Sequence, residues 1–287
     1  MTNREVCKKG ERALAEAGIE EAALDARLLL EYACGISRSD LLAYGDREVA
    51  PENQRLYEQL IARRGERIPL QQLTGRQDFM GLEFTVDEHV LIPRQDTEIL
   101  VEEVLKNLHD GMRVLDMCTG SGCILISLLH YSNDCTGVGA DISAEALQIA
   151  EENGIRLLGA EPEGKMTQCT FLQSDLFENV EGKFDIIVSN PPYIPSGVIE
   201  TLMPEVRDHE PRQALDGAED GLLFYRRIVE EGAGCLAGGG MLFFEIGYDQ
   251  AEAVSRLMED AGFLEINVIR DYAGLDRVVY GTKSFAR

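Results

Sequence analysis

From Asp96 onward, short apolar runs alternate with longer amphipathic stretches. Arg113–Met117, Gly137–Asp141, Thr170–Gln173, Phe184–Ser189, Met241–Ile246, Leu264–Arg270 and Arg277–Thr282 predict strands. The intervening Thr97–Leu108, Cys123–Tyr131, Ala144–Leu158, Gly221–Leu236 and Tyr248–Ala261 predict helices. Such alternation implies an α/β fold, a doubly wound parallel sheet with helices on both faces. Only a turn around Ala273-Gly274 separates the last two strands, so they should form an antiparallel hairpin at one sheet edge.

The first 75 residues show only helical patterning. Thr2 and Glu5 have capping-box spacing, and the helix they open should stop near Gly18. A second helix is predicted from Glu20 to Cys34, stopping at Gly35, and Ser39-Asp40 would open a short third. Pro51 suits a first helical position, with the pattern continuing through Leu56, Leu60 and Ile61, and a short turn runs from Pro69 to Gly75. Between Phe79 and Ile92, Phe84-Thr85-Val86 and Val90-Leu91-Ile92 flank the polar Asp87-Glu88-His89, a hairpin signal. The expected organisation is a helical domain over 1–75, a β-hairpin linker over 76–95 and an α/β domain over 96–287.

Composition changes this picture in three ways. No apolar run approaches the roughly 18 residues of a membrane helix, and the N-terminus is polar, which predicts a cytoplasmic protein. Seven scattered cysteines without a CxxC pair predict reduced thiols, and with four dispersed histidines no metal site is expected. The net charge of −24 argues against tight, sequence-independent nucleic-acid binding, which needs Lys and Arg on phosphates. That charge is uneven: residues 1–75 carry −2 and residues 76–287 carry −22.

The first chemical signal is the run Val114 to Gly122, a strand entering a glycine-containing turn before a helix. Glycine permits positive φ there, and helix N-terminal amides face a ligand. Cys118, Thr119, Gly120, Ser121 and Gly122 are candidate cofactor contacts. The dinucleotide fingerprint is incomplete, since its third glycine position is Leu125. Asp116 would repel a pyrophosphate but attract a cation, so S-adenosylmethionine, with its amino group and sulfonium, suits the loop better than NAD. Asp141 ends the next strand, 19 residues after Gly122. It would accept ribose hydroxyls or else cap the helix before Ala144, a job Ser143 could also do. Asp175 follows the third strand, where it would accept an adenine amine, with Leu176 or Phe177 covering the ring face, or close an Asx turn. Three acids at successive strand ends reinforce one another, because ligands of open α/β sheets bind there.

The second signal is Asn190-Pro191-Pro192-Tyr193 after the strand Phe184–Ser189. Two prolines remove two N–H donors. The Asn190 amide oxygen and Pro191 carbonyl would then form an acceptor patch for a substrate –NH2 group, with Tyr193 supplying an aromatic face. Asn190 would border the cofactor as well.

These residues resemble a class I S-adenosylmethionine-dependent amino-methyltransferase. Leu91-Ile92-Pro93-Arg94-Gln95-Asp96-Thr97-Glu98, Glu210-Pro211, Ala214-Leu215-Asp216-Gly217, Asp220-Gly221-Leu222 and Phe224-Tyr225-Arg226 narrow the resemblance to the HemK/PrmC family of protein glutamine methyltransferases. The resemblance spans nearly the whole chain. It implies a Rossmann-like, seven-stranded, mostly parallel sheet with an antiparallel C-terminal hairpin, preceded by a small all-α domain. It also implies methyl transfer to the glutamine of the Gly-Gly-Gln motif of peptide chain release factors, with Asn190 and Pro191 binding the amide. Two positions depart from it, Cys118 and Ala218, where glycine is more usual. Arg94, Asp96 and Thr97 read equally as functional residues or as a helix start. A monomer is expected.

Two competing readings use the same residues. A nucleic-acid adenine N6-methyltransferase shares the Asn-Pro-Pro-Tyr motif but predicts a basic groove. The segment 194–221 has two arginines, Arg207 and Arg212, against seven acids. A non-catalytic binding module predicts loss of Asp141 or Asn190, and both are present.

Overall fold

The computed structural model describes residues 1–159 and 168–285. They divide into two compact units, Met1–Arg76 with Met203–His209, and Gln77–Leu202 with Glu210–Arg287.

In the helical unit, α1 (Asn3–Glu16) opens on the expected capping box: Thr2 Oγ1 accepts from Glu5 N at 3.3 Å, and the Glu5 carboxylate accepts from Thr2 N at 2.9 Å. Helix α2 (Ala22–Cys34) closes on Gly35 at φ 62°, a left-handed stop that glycine takes without a Cβ penalty. Helix α3 (Arg38–Ala43) starts earlier than expected. Ser37 rather than Ser39 is its cap, because Asp40 reciprocates to Ser37 N at 3.0 Å. Helix α4 (Pro51–Gly65) carries proline at its first position, and α5 (Leu70–Thr74) lies between Pro69 and Gly75. Leu14, Leu29, Leu30 and Tyr57 fill the core between them. A buried ion pair, Arg64 Nε to Asp25 at 2.7 Å, extends to Glu205, which Arg64 and Arg67 both hold. Gln72 Nε2 also donates to the His209 carbonyl at 2.8 Å. These bonds account for the grouping of Met203–His209 with a unit far from it in sequence, which local patterning does not reveal.

The larger unit begins with a tight hairpin, β1 (Arg76–Phe79) and β2 (Leu82–Thr85). Met80 at φ 51° and Gly81 at φ 71° form the positive-φ pair that two-residue hairpin turns require. The hairpin therefore pairs Leu82–Thr85 with the segment before it. The expected downstream arm Val90–Ile92 is not a strand. Val90 packs with Val86 and Ala146 in a small satellite core, and Pro93 follows at once.

Then come α6 (Gln95–Asn107), β3 (Arg113–Met117), α7 (Cys123–His130), β4 (Thr136–Asp141), α8 (Ala144–Leu158), β5 (Cys169–Gln173) and β6 (Phe184–Ser189). The segment left without elements in the sequence holds α9 (Ser196–Ile199), α10 (Pro204–His209), which belongs to the helical unit, and a 3-10 turn at Arg212–Ala214. Finally come α11 (Leu223–Cys235), β7 (Leu236–Glu245), α12 (Ala251–Asp260), β8 (Phe263–Arg270) and β9 (Asp276–Lys283). The sheet order is β5-β4-β3-β6-β7-β9-β8, with β9 antiparallel to both its neighbours. Successive β6 side chains point to opposite faces. Ile186 and Val188 join the core under α6 and α7 and Ile187 that under α11 and α12, while Phe184, before a register shift at Phe184/Ile186, also joins the latter. A strand buried on both faces explains the unbroken apolar run at its centre. No helix among the described residues is long and apolar enough to cross a membrane.

Gly10 gives a test of packing against propensity. A Cβ there would lie 2.9 Å from Ile61 Cδ1 and well inside contact distance of the buried Tyr57 hydroxyl. Helix propensity favours Gly10→Ala by about 1 kcal/mol, whereas overpacking costs about 1–3 kcal/mol. The variant should be less stable in urea denaturation. Tyr57→Phe, which removes a hydroxyl with no partner among the described residues, should restore part of the loss.

Candidate active site

Strand β3 lies between β4 and β6, so the crossovers leaving its carboxyl end and theirs diverge there. Met117 is level with Ala140 on one side and Ser189 on the other. A cavity of about 250 Å³ opens at this point. Its walls include Cys118 to Ser121, Asp141, Asp175, Leu176, Asn190 and Pro192. The structure thus brings together most of the residues singled out in the sequence.

Asp116 is placed differently. It is fully buried and does not line the cavity. Its Oδ2 accepts from Thr119 Oγ1 at 2.6 Å and from Leu125 N at 3.2 Å, while Oδ1 has no partner among the described residues. The carboxyl therefore anchors the loop and the start of α7. Burial pushes its pKa up to about 7, against the pull of those two bonds. Gly122 also lies off the cavity. It sits at φ 79°, and a Cβ there would come within 2.8 Å of Ile126 Cδ1.

Asp141 lines the cavity and is clamped by its own loop. Oδ2 accepts from Gly120 N and Oδ1 from Ser143 N, each at 2.9 Å. Ser143 caps α8 through a bond from Ala146 N at 3.1 Å, so Asp141 is not the helix cap. Burial raises the Asp141 pKa, opposed by these backbone donors. Asp175 presents one oxygen to Arg227 Nη1 at 2.8 Å. The cavity's loops are backbone-strained: Cys118 has φ 62° and Leu176 φ 47°. Ala218 has φ 70°. Cys118 and Ala218 are the two positions where glycine was expected, and left-handed backbone is the reason glycine suits them.

Beyond β6, Ser189 Oγ donates to the Met117 carbonyl at 2.6 Å, locking the two strand ends together. Asn190 Nδ2 donates to Thr97 Oγ1 at 3.3 Å, and Asn190 lines the cavity. Pro191 and Pro192 are buried, and Pro192 alone of the two lines the cavity. Tyr193 does not line it. Its ring packs toward β7, and its hydroxyl donates to Glu245 Oε1 at 3.3 Å. The aromatic wall of the cavity is Phe224 instead. The loop is braced from behind. Ile194 N donates to Leu215 O, Gly217 N to Ile194 O, and Gln250 Nε2 to Tyr193 O. A Cβ on Gly217 would press within 2.8 Å of the Tyr193 backbone.

Three site residues escaped the sequence reading in these roles: Phe224, Thr97 as a partner of Asn190, and Glu245. Glu245 did leave a signal, an acid at the end of the apolar Leu242-Phe243-Phe244 run. Arg94, also on the cavity wall, is paired with the buried Glu210 at 2.5 Å.

Residues 5–75 match the family model described as the PrmC N-terminal domain, and residues 94–204 match the methyltransferase small domain. Fold, strand-end cavity and these matches define a methyltransferase. The release factor glutamine methyltransferase of Caulobacter vibrioides is 41% identical over 274 residues, covering 94% of this chain and 93% of that protein. That of Geobacter sulfurreducens is 43% identical over 269 residues, covering 93% and 92%. The chain belongs to the release factor glutamine methyltransferase family. A solved methyltransferase from Pyrococcus furiosus shares the fold, with a TM-score of 0.52 at 17% identity over 71% of this chain and 90% of that one.

The buried Asp116 predicts a pH signature. Below about pH 4 its carboxyl is protonated in the folded and unfolded chains alike. Between there and its folded pKa of about 7, only the unfolded chain ionises, so stability falls as pH rises. Asp116→Asn should remove that slope. Urea denaturation of both proteins at about pH 5 and about pH 8 should show the variant gaining relative stability at the higher pH. A pH-independent difference would refute the assignment.

Proposed function

We propose that this protein transfers a methyl group from S-adenosylmethionine to the side-chain amide nitrogen of the glutamine in the Gly-Gly-Gln motif of peptide chain release factors. The observation that carries this reading is the shared wall of one cavity. Asn190 and the carboxylates Asp141 and Asp175 border the same space. The names of the relatives, each similar over nearly the full chain, supply the substrate class.

The residues present suit the cofactor. Three carboxylates, Asp141, Asp175 and Asp216, line the cavity together with Arg94, and a fourth, Asp116, lies behind its loop with one oxygen unpartnered. That donor set favours a cation and disfavours a pyrophosphate. The loop Cys118–Gly122 would hold the methionine end, Asp141 the ribose hydroxyls, and Asp175 with Leu176 the adenine. S-adenosylmethionine supplies, when bound, an activated sulfonium methyl.

The chain's own task is to make an amide nitrogen nucleophilic. That lone pair is delocalised into the carbonyl. Asn190 Oδ1 accepts one substrate N–H, and the Pro191 carbonyl is the candidate for the second. Acceptors placed out of the amide plane favour a pyramidal nitrogen and localise the pair. Holding that nitrogen at the cavity supplies the proximity term. The N-protonated methylamide so formed is a strong acid and gives its proton to solvent water, so no strong base is required.

The nucleic-acid alternative needs cations near the site. Both arginines of the segment 194–221 are already engaged by carboxylates, Arg207 by Asp208 at 2.7 Å and Arg212 by Glu200 at 3.2 Å. The near-neutral helical unit is the part of the chain best suited to a protein partner.

Mass spectrometry of a release factor incubated with enzyme and cofactor should show one added methyl on the Gly-Gly-Gln glutamine. Methylation of DNA or RNA instead would favour the alternative. Asn190→Ala should lower turnover at least about tenfold, roughly 1.4 kcal/mol in barrier, while cofactor affinity largely survives.

A further inference from the structure

The loop after β5 is fixed from within, but the side chain of its acid is not. Ser174 N donates to the Asp141 carbonyl at 2.9 Å, and Ser174 Oγ donates to the Leu176 carbonyl at 2.6 Å. Asn179 N donates to Ser174 Oγ at 3.0 Å. None of these bonds involves the carboxylate of Asp175, which borders the cavity and has staggered rotamers to choose between. The group that turns it comes from 52 residues away. Arg227 Nη1, on α11, donates to Asp175 Oδ1 at 2.8 Å. Among the described residues this is the one hydrogen bond to that carboxylate.

Arg227 is held in its turn. Its Nε donates to Glu231 Oε1 at 3.1 Å, one turn further along α11. The planar guanidinium is thus gripped on two sides, with Nη1 directed at Asp175. Arg227 does not line the cavity, whereas Phe224, three residues earlier on the same side of the helix, does. Arg227 therefore reaches the cavity only through Asp175. A carboxylate offers two oxygens and about four acceptor sites, so one arginine bond on Oδ1 leaves Oδ2 with its full capacity. The Arg227 and Asp175 side chains are 32% and 42% exposed, and an ion pair this open adds little to stability. What it supplies is direction, since a charge-assisted bond selects one orientation of the carboxylate.

We propose that Arg227 is a positioning residue that sets selectivity for a 6-amino purine: it holds Asp175 Oδ1 and thereby presents Oδ2 to the exocyclic amine of the cofactor's adenine. This rests on the adenine contact proposed for Asp175 above. A carboxylate only accepts, so it favours an amino group at that ring position and repels a 6-oxo group. Without Arg227, the Asp175 side chain is released to its other rotamers and to solvent, and the selection fades. The pair thus gives α11 a second task beside the aromatic wall supplied by Phe224.

The test measures binding of S-adenosylhomocysteine and of its 6-oxo counterpart, S-inosylhomocysteine, by calorimetry. It compares the wild type with Arg227→Met, Asp175→Ala and the double variant, each checked by thermal melting. Methionine keeps an unbranched apolar stem and loses the guanidinium. The wild type should prefer the amino ligand by at least about tenfold, and Asp175→Ala should abolish that preference. Arg227→Met should cut the preference to about threefold or less, by weakening the amino ligand alone, and should have no further effect in the Asp175→Ala background. If Arg227→Met weakens both ligands alike, or keeps the wild-type preference while Asp175→Ala loses it, the positioning role is overturned and the Asp175 contact stands. An effect of Arg227→Met that persists in the absence of Asp175 overturns it too. If the wild type shows no preference, or Asp175→Ala retains it, the adenine contact itself fails and this inference falls with it. Should Arg227→Met fail to fold, Arg227→Gln takes its place with the same expected outcomes.

Discussion

Everything at the cavity depends on one carboxylate at the end of β3. Asp116 Oδ2 takes the Thr119 hydroxyl and the Leu125 amide together, joining strand, loop and helix at a single atom. Helix α7 has no side-chain cap of its own at Gly122, so this acid does that job from nine residues upstream. The loop it holds then offers Gly120 N to Asp141, and the Asn153 amide holds the Ser121 carbonyl at 3.0 Å. The floor of the cavity is thus set by polar contacts formed before any ligand arrives. The cost is a buried carboxyl with one oxygen unpartnered and a pKa far above its ordinary value.

The wall opposite is built on a different principle. Two prolines leave the loop after β6 with few donors of its own, so its position is held by its surroundings. Gly217 and Gly221 lie against the Tyr193 backbone where a Cβ would collide, and Gln250 bridges Tyr193 O to Gly221 O. Backbone contact this close transmits position accurately. It also explains why the motif residues 214–222 matter although few of them touch the cavity. One wall is therefore set by a buried carboxyl anchor and the other by close backbone packing.

The acidity of the chain acquires a location in this arrangement. Asp141 and Asp175 face the cavity, Asp116 supports its loop, and Glu245 stands behind Asn190. Each has a separate physical task. Arginines 94, 212 and 227 are each paired with a carboxylate.

The sequence alone determined what local physics encodes. Alternation of apolar runs and amphipathic stretches set the strands and helices of the larger unit, because periodicity reports which faces are buried. The Thr2 and Glu5 pair, Gly35 and Pro51 set helix ends, because capping is a contact between near neighbours. The glycine-containing loop after β3 and the Asn-Pro-Pro-Tyr segment were legible because their patterns lie in contiguous residues. Contacts between distant residues were not legible. Ser37 displaced Ser39 through a bond to Asp40, the Met80-Gly81 turn moved the hairpin upstream, and Met203–His209 joined the helical unit through Arg64, Arg67 and Gln72. Tertiary structure also decided which acids face the cavity, moved the aromatic wall from Tyr193 to Phe224, and placed Thr97 beside Asn190 across 93 residues of chain. The reason is physical: burial and hydrogen-bond direction belong to the packed neighbourhood of a side chain, and no local pattern specifies which distant donor will arrive there.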